Sequence, residues 1–264
     1  MIISASYKTD IPTFYGEWFM NRLRAGYCNM VNPYNRAPIR VSLAPEDVDG
    51  FVFWTKNVGP FLKHLPEVKD RGFPFVIQHT INGYPRALEH AVVNAAKSVD
   101  HLRLISQTYG PKVAVWRYDT IVISSLTPVD FHRQNFETLC RQLRGVTDEV
   151  VISFCHLYQK TLRNMEWAAG QFGFTWEESS PWPGNLSRWP APTASGCPSV
   201  RSGISSCPER TTPSALTQIG SRLWPGAASG LTSEATGKSA AASRLATLAT
   251  TTPARTGAST ATLS

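Results

Sequence analysis

Phe51-Val52-Phe53-Trp54-Thr55-Lys56-Asn57 is four apolar residues running straight into three polar ones. A strand of a parallel sheet reads this way, because helices cover both faces and neither is left to water. The polar residues mark where the strand leaves the core. The same texture recurs along the chain: residues 2–6, 39–43, 73–80, 112–116 and 149–154 also read as strands. Between them the apolar spacing turns helical. Residues 11–26 place Phe14, Trp18, Phe19 and Leu23 on one side and stop at Gly26. Residues 84–108 predict a long helix, with Leu88, Val92, Ala95, Val99, Leu102 and Ile105 in register. Thr127-Pro128 predicts an N-cap and first-turn proline for a helix reaching Leu143, and 160–171 predict another.

Strands alternating with helices, most of the strands apolar on both faces, imply parallel βαβ units. About six strands with no Gly-x-Gly-x-x-Gly after the first favour an incomplete TIM-like (β/α) barrel over a dinucleotide-binding sheet. The expected fold class is therefore α/β, a barrel-like domain over residues 1–180. A doubly wound open sheet gives nearly the same pattern.

The formal charge of +7 is unevenly placed. Residues 1–181 carry nineteen basic and seventeen acidic side chains, whereas 182–264 carry seven Arg or Lys against two Glu. The basic excess thus belongs mostly to the tail, which weakens a nucleic-acid reading of the folded part. The amino terminus lacks a basic head before an apolar run, and no stretch nears the roughly 18 apolar residues of a membrane helix. The cysteines at 28, 140, 155, 197 and 207 show no CxxC spacing, which suits reduced thiols. A cytoplasmic protein without a membrane partner is the expectation.

From Trp182 the grammar changes: 41 of 83 residues are Ala, Ser or Thr, and Asp, Phe and Tyr vanish. Residues 181–264 read as a low-complexity, mostly disordered tail. Linkers seldom keep Trp and Cys, however, and GC-rich DNA translated in the wrong frame yields this mixture. Moved back one base, a Thr codon becomes one for Tyr, His, Asn or Asp, and an Ala codon one for Cys, Gly, Ser or Arg. Residues 252–262 then permit Asp-Thr-Cys-Pro-His-Gly-Cys-(Val or Leu)-Tyr-Cys-Tyr without conflict.

Residues Ser4-Ala5-Ser6-Tyr7-Lys8-Thr9-Asp10-Ile11-Pro12, Trp18-Phe19-Met20-Asn21-Arg22, Val52-Phe53-Trp54-Thr55-Lys56-Asn57, Val115-Trp116-Arg117-Tyr118-Asp119 and Val151-Ile152-Ser153-Phe154 resemble the bacterial family known as domain of unknown function 1848. The resemblance covers essentially residues 1–180. Tyr7-Lys8 departs from it, since the family more often has two arginines there. The resemblance implies a C-terminal cysteine cluster like that of radical S-adenosylmethionine enzymes, hence a 4Fe-4S cluster and S-adenosylmethionine as cofactors. The recovered string contains Cys-x3-Cys-x2-Cys, in which three thiolates hold three irons and the fourth iron stays open. In this chain those positions are Ala254, Ala258 and Ala261, so neither cofactor is expected in it.

Polar residues follow the predicted strands: Lys8, Thr9 and Asp10; Thr55, Lys56 and Asn57; Gln78 and Thr80; Arg117 and Asp119; His156, Tyr158 and Lys160. In a barrel such positions converge on the carboxyl-end face, where active sites form. Lys8, Thr9, Lys56, Asn57, Gln78 and Arg117 are candidate ligand-binding residues, and Asp10, Lys56, Arg117 and Asp119 candidate catalytic ones. Each has a plainer alternative: Asp10 as a helix cap, Arg117 with Asp119 as a structural ion pair. Trp54 and Trp116 suit core packing, and His79, His101 and His132 read as surface or helix histidines without metal spacing. Adjacent Cys155 and His156 would point to opposite faces and so make a poor nucleophile pair. The function classes left open are an iron–sulfur enzyme that has lost its cluster, acting on an unknown small molecule, and a module binding an anionic ligand or nucleic acid without catalysis. For the tail, sequencing the gene should find a one-base change near codons 179–183 whose reversal restores the cysteine string; an intact frame there removes the frameshift reading.

Overall fold

The computed structural model describes residues 1–5, 9–32, 34–155 and 159–176, together with two short strands in the tail. In chain order the elements begin with β1 (Ile2–Ser4), α1 (Ile11–Phe14), α2 (Gly16–Ala25), β2 (Tyr27–Val31), β3 (Pro38–Ser42) and β4 (Gly50–Thr55). A 3-10 segment (Gly59–His64) runs into α3 (Leu65–Asp70), followed by β5 (Phe75–Thr80), α4 (Ala95–Tyr109), β6 (Ala114–Ile121) and α5 (Val129–Gln142). Then come β7 (Glu149–Phe154), α6 (Gln159–Phe172), β8 (Ser199–Ser202) and β9 (Ala246–Thr247). The main sheet has the order β8-β7-β6-β5-β4-β1-β9, and all its pairs are parallel. The α/β class expected from the sequence is the class observed. From β1 to β8 every new strand joins the same edge, while β9 lies on the far side of β1; no pairing joins β8 to β9 among the described residues.

Period-two alternation divides the residues of this sheet between its faces. Phe51 and Phe53 pair with Phe75 and Ile77, and Ile77 with Ala114, placing them on one face; Val52, Val76 and Val115 occupy the other. On the first face Phe19 of α2 meets Phe51 and Phe53 edge-on, each at 5.2 Å between ring centres. All three rings are buried, so this aromatic layer seats α2 on the sheet through area burial and edge-to-face geometry. Trp116 and Phe136 stack at 5.0 Å and do the same for α5.

Local chemistry overrides the sequence expectation at several points. The helix expected over 11–26 breaks at Tyr15, whose φ of −131° leaves the helical region, and Phe14 is 73% exposed instead of facing inward. Gly26 does stop α2, in the left-handed conformation at φ 75° that glycine adopts most cheaply. Strand β2 was not anticipated. It pairs antiparallel with β3 in a separate two-stranded ribbon, which removes the expected 39–43 strand from the main sheet. The helix expected from 84 starts only at Ala95: Asn94 holds an extended backbone, and its side chain accepts from Lys97 N at 2.9 Å, a cap that ends the preceding loop. Thr127 does not cap α5; its hydroxyl donates to the Val122 carbonyl at 2.7 Å. The helical segment over Gly59–Asp70 was also unforeseen. Of the tail expected to be disordered, only β8 and β9 fall among the described residues. No helix among the described residues is long and apolar enough to cross a membrane.

Candidate functional site

The 112–116 strand of the sequence reading extends to Ile121 as β6, so Arg117 and Asp119 lie inside a strand and not on the loop after it. Two residues apart, they share a face, and that face also carries Gln78 of β5 and Trp54 of β4. The Arg117 guanidinium stands 4.8 Å from the centre of the Trp54 ring. Its Nη1 donates to Gln78 Oε1 at 2.6 Å, and its Nε and Nη2 both donate to Asp119 Oδ2, the former at 3.0 Å. Ser153 of β7 donates its hydroxyl to the other carboxylate oxygen, Asp119 Oδ1. Four neighbouring strands thus contribute to one largely buried cluster toward their carboxyl ends.

The loop over 82–94 closes this cluster from above. Asn82 accepts from Asp119 N at 2.9 Å and donates to the Asp119 carbonyl at 3.1 Å, a reciprocal pair that holds the loop to β6. The Asn82 amide also donates to Glu89 Oε1 at 3.1 Å, and Glu89 forms an ion pair with Lys56. Tyr84 donates to the Thr120 carbonyl at 2.7 Å and accepts from Val122 N at 3.2 Å. Burial holds the Tyr84 phenol protonated, well above its ordinary range, with Tyr118 adding to the effect. A cavity of about 120 Å³ lies under the same loop, lined by Asn82, Arg86, Glu89, Asn94 and Ser98 among others.

The sequence candidates separate on this geometry. Gln78, Arg117 and Asp119 come together, and Lys56 joins them through Glu89. Asp10 does not: it caps α1, accepting from Thr13 N at 2.9 Å, Thr55 Oγ1 at 3.0 Å and Lys56 N at 2.9 Å. The plainer alternative holds there, although the cap also ties the end of β1 to the end of β4. Asn57 forms a turn, its Oδ1 accepting from Gly59 N at 3.1 Å. Thr9 offers its carbonyl to Ile11 N at 3.1 Å and does not reach the cluster. Lys8, His156, Tyr158 and the side chain of Lys160 lie outside the described residues. Sequence reasoning missed Asn82, Glu89, Tyr84 and Ser153. The Asn82-Gly83 pair was a readable turn signal, but the expected helix over 84–108 hid Glu89.

His101 and His132 stand on helices α4 and α5 as expected, whereas His79 departs from expectation. It is fully buried in β5, neither ring nitrogen has a hydrogen-bond partner among the described residues, and its ring centre lies 6.5 Å from that of His101. Burial, with His101 beside it, pushes His79 down to about 3, so it stays neutral. His132 is buried too, its Nε2 facing the Val122 carbonyl at 3.0 Å. A carbonyl can only accept, so Nε2 carries the proton and Nδ1 accepts from the Tyr118 hydroxyl at 2.8 Å. Trp116 packs in the core as expected, whereas Trp54 is half-buried beneath Arg117.

The donor set among the described residues does not fit an iron–sulfur cluster, and the positions where the sequence expectation put thiolates are alanines, at 254, 258 and 261. Cys28 and Cys140 are buried on β2 and α5, and Cys155 is half-buried beyond β7. No group of three His, Cys, Asp or Glu side chains among the described residues could hold a metal ion.

Burial pushes the Asp119 carboxyl up, but Arg117, the Ser153 hydroxyl and Lys56 outweigh it and hold the group below its ordinary range. A depressed carboxylate stabilises the fold above the unfolded pKa, about 3.9, and loses that contribution as pH falls through its folded value. Asp119→Asn should therefore flatten stability against pH in the acid limb below about pH 4, read by urea unfolding; an unchanged slope contradicts the assignment. Arg117→Met should cost about 3–5 kcal/mol by leaving Asp119 buried and unpaired, with part recovered when Asp119→Asn is added.

The sequence model of the family described as Domain of unknown function (DUF1848) matches residues 2–186. Neither a curated protein nor a solved structure matches the chain.

Proposed function

The chain belongs to the DUF1848 family, and from that premise we propose that its carboxyl-end cluster binds a small anionic molecule. The partly buried Arg117–Asp119 pair, cross-braced by Gln78, Ser153 and Asn82, carries this reading. An ion pair drawn out of water returns little net stability, so its place here is better explained by a ligand, and the carboxyl ends of parallel strands are where α/β proteins place ligands. Arg117 already spends its three nitrogens on Asp119 and Gln78, so it acts as framework. Lys56, with 44% of its side chain exposed, is a cation that solvent reaches beside the cluster, tethered by Glu89. The cavity of about 120 Å³ adjoins this ion pair through Glu89 and has Arg86, not Lys56, in its lining; at roughly four water volumes of ~30 Å³ each, it suits a phosphate or a short carboxylate.

The strand order supports an incomplete (β/α) barrel, with β9 on the side of β1 from which a closing strand would come. The family match stops at 186, close to where the composition turns to Ala, Ser and Thr, which supports a frame change near that point. With alanines at 254, 258 and 261, this polypeptide is proposed to be inactive in radical S-adenosylmethionine chemistry, and no reaction step is assigned to it.

Inorganic phosphate or citrate should raise the melting temperature of the full chain by several degrees at saturation, and Lys56→Met should abolish the rise. Stabilisation that survives Lys56→Met places the anion elsewhere. After anaerobic reconstitution with iron and sulfide, the chain should retain far fewer than about four irons; full loading would show that other ligands serve.

A further inference from the structure

The near-neutral balance of residues 1–181 conceals a local segregation of charge. From Trp18 to Pro45 there is no Asp or Glu, while Arg22, Arg24, Arg36 and Arg40 fall in that span. Arg24 is neutralised by Glu67 across the α2–α3 contact. Neither Arg36 nor Arg40 forms an ion pair among the described residues. Both are exposed, and both belong to the β2–β3 ribbon, which stands apart from the main sheet.

The ribbon has two dissimilar faces. Cys28 and Val41 form one cross-strand pair and are buried, with Met30 and Ile39 the next pair on that face. The opposite face carries Tyr27 with Ser42, Asn29 with Arg40, and Val31 with Pro38. On it the Arg40 guanidinium lies over the Tyr27 ring, 3.8 Å from its centre. At the tip, Asn32 and Asn35 accept from Tyr34 N at 2.9 Å and Ala37 N at 3.0 Å. These bonds fix the turn and leave the Tyr34 ring 89% exposed. The ribbon thus carries two exposed aromatic rings, or parts of them, and two guanidiniums without an ion-pair partner among the described residues, on a segment that has no carboxylate. Because α1 and α2 run back along β1, the ribbon lies at the amino ends of the strands, away from the carboxyl-end cluster; Leu43 N bonding the Gly26 carbonyl at 2.9 Å closes its base.

We propose that the β2–β3 ribbon is a docking surface for single-stranded nucleic acid, with Arg36 and Arg40 on the phosphates and Tyr34 stacking on a base. Interleaved cations and aromatic faces without carboxylates match such a strand chemically: its backbone repeats a negative charge and every base offers a π face. An acidic peptide would use the arginines and leave the tyrosine idle. Glu46 and Asp47 lie beyond the base of β3, outside this face.

The test uses the full chain and a labelled oligouridylate of about 15 nucleotides, a length spanning typical site sizes, read by fluorescence anisotropy across a salt series. Arg36→Asn with Arg40→Gln should weaken binding about tenfold or more and lower the salt slope by about 1.4, the value for two lost phosphate contacts on a single strand. Asn is chosen at 36 because Arg36 has φ 61°, which Asn tolerates. Tyr34→Ala should weaken binding by about 5- to 160-fold with little change in that slope. Arg201→Gln with Arg210→Gln, both in the basic tail, should leave binding intact. The proposal is overturned if the ribbon variants bind as the parent does while the tail variant loses affinity. It is equally overturned if polyglutamate competes as well as the oligonucleotide, or if Tyr34→Ala has no effect.

Discussion

Strand β6 must satisfy two opposed demands, and the rest of the structure is arranged around how it does so. One face presents Trp116 and Tyr118, both fully buried, to the helices; the other presents Arg117 and Asp119. A charged pair in that setting survives only if every donor and acceptor finds a partner. Gln78, Ser153 and Asn82 supply those partners from three other segments. The polar cluster therefore fixes the relative positions of β5, β6, β7 and the loop after β5, as the aromatic layer does on the opposite face.

The same logic explains the long excursion between β5 and α4. A loop over a sheet end carries backbone groups that need partners. Here Ile81 N bonds the Arg117 carbonyl at 2.9 Å, and the Trp116 indole donates to the Ile81 carbonyl at 3.0 Å. Asn135 of α5 adds a bond to the Asn82 carbonyl at 2.6 Å. The loop is thus a built part of the structure, anchored also by the Tyr84 ring against Tyr118, Phe131 and His132, and it delivers Glu89 to Lys56.

Much of the architecture was legible because burial on both faces leaves a strong mark. The apolar runs beginning at Phe51 and after Glu149 identified β4 and β7, and the polar residues Gln78, Arg117 and Asp119 do gather toward the carboxyl ends of their strands. Helix continuity was the weak point. Leu88 and Val92 happen to fall in register with Ala95 and Val99, yet Asn94 caps where the spacing alone runs on. Tyr15 breaks a helix that spacing alone carries through. Strand β2 was hidden because its Tyr-Cys-Asn-Met-Val alternates in a two-stranded ribbon with only one side covered. The partners of Asp119 could not be read at all, since they depend on register between strands far apart in the chain.

The order in which strands join the sheet bears on biosynthesis. From β1 to β7 each main-sheet strand is laid beside the one made just before it. Pairing partners are thus already outside the ribosome when each strand emerges, and the growing edge advances with translation. The components of the aromatic layer and of the Arg117 cluster all emerge by the end of β7, before any of the sequence downstream of it. The sheet from β1 to β7, with both layers that brace it, is thus specified within the first 154 residues, whatever follows them.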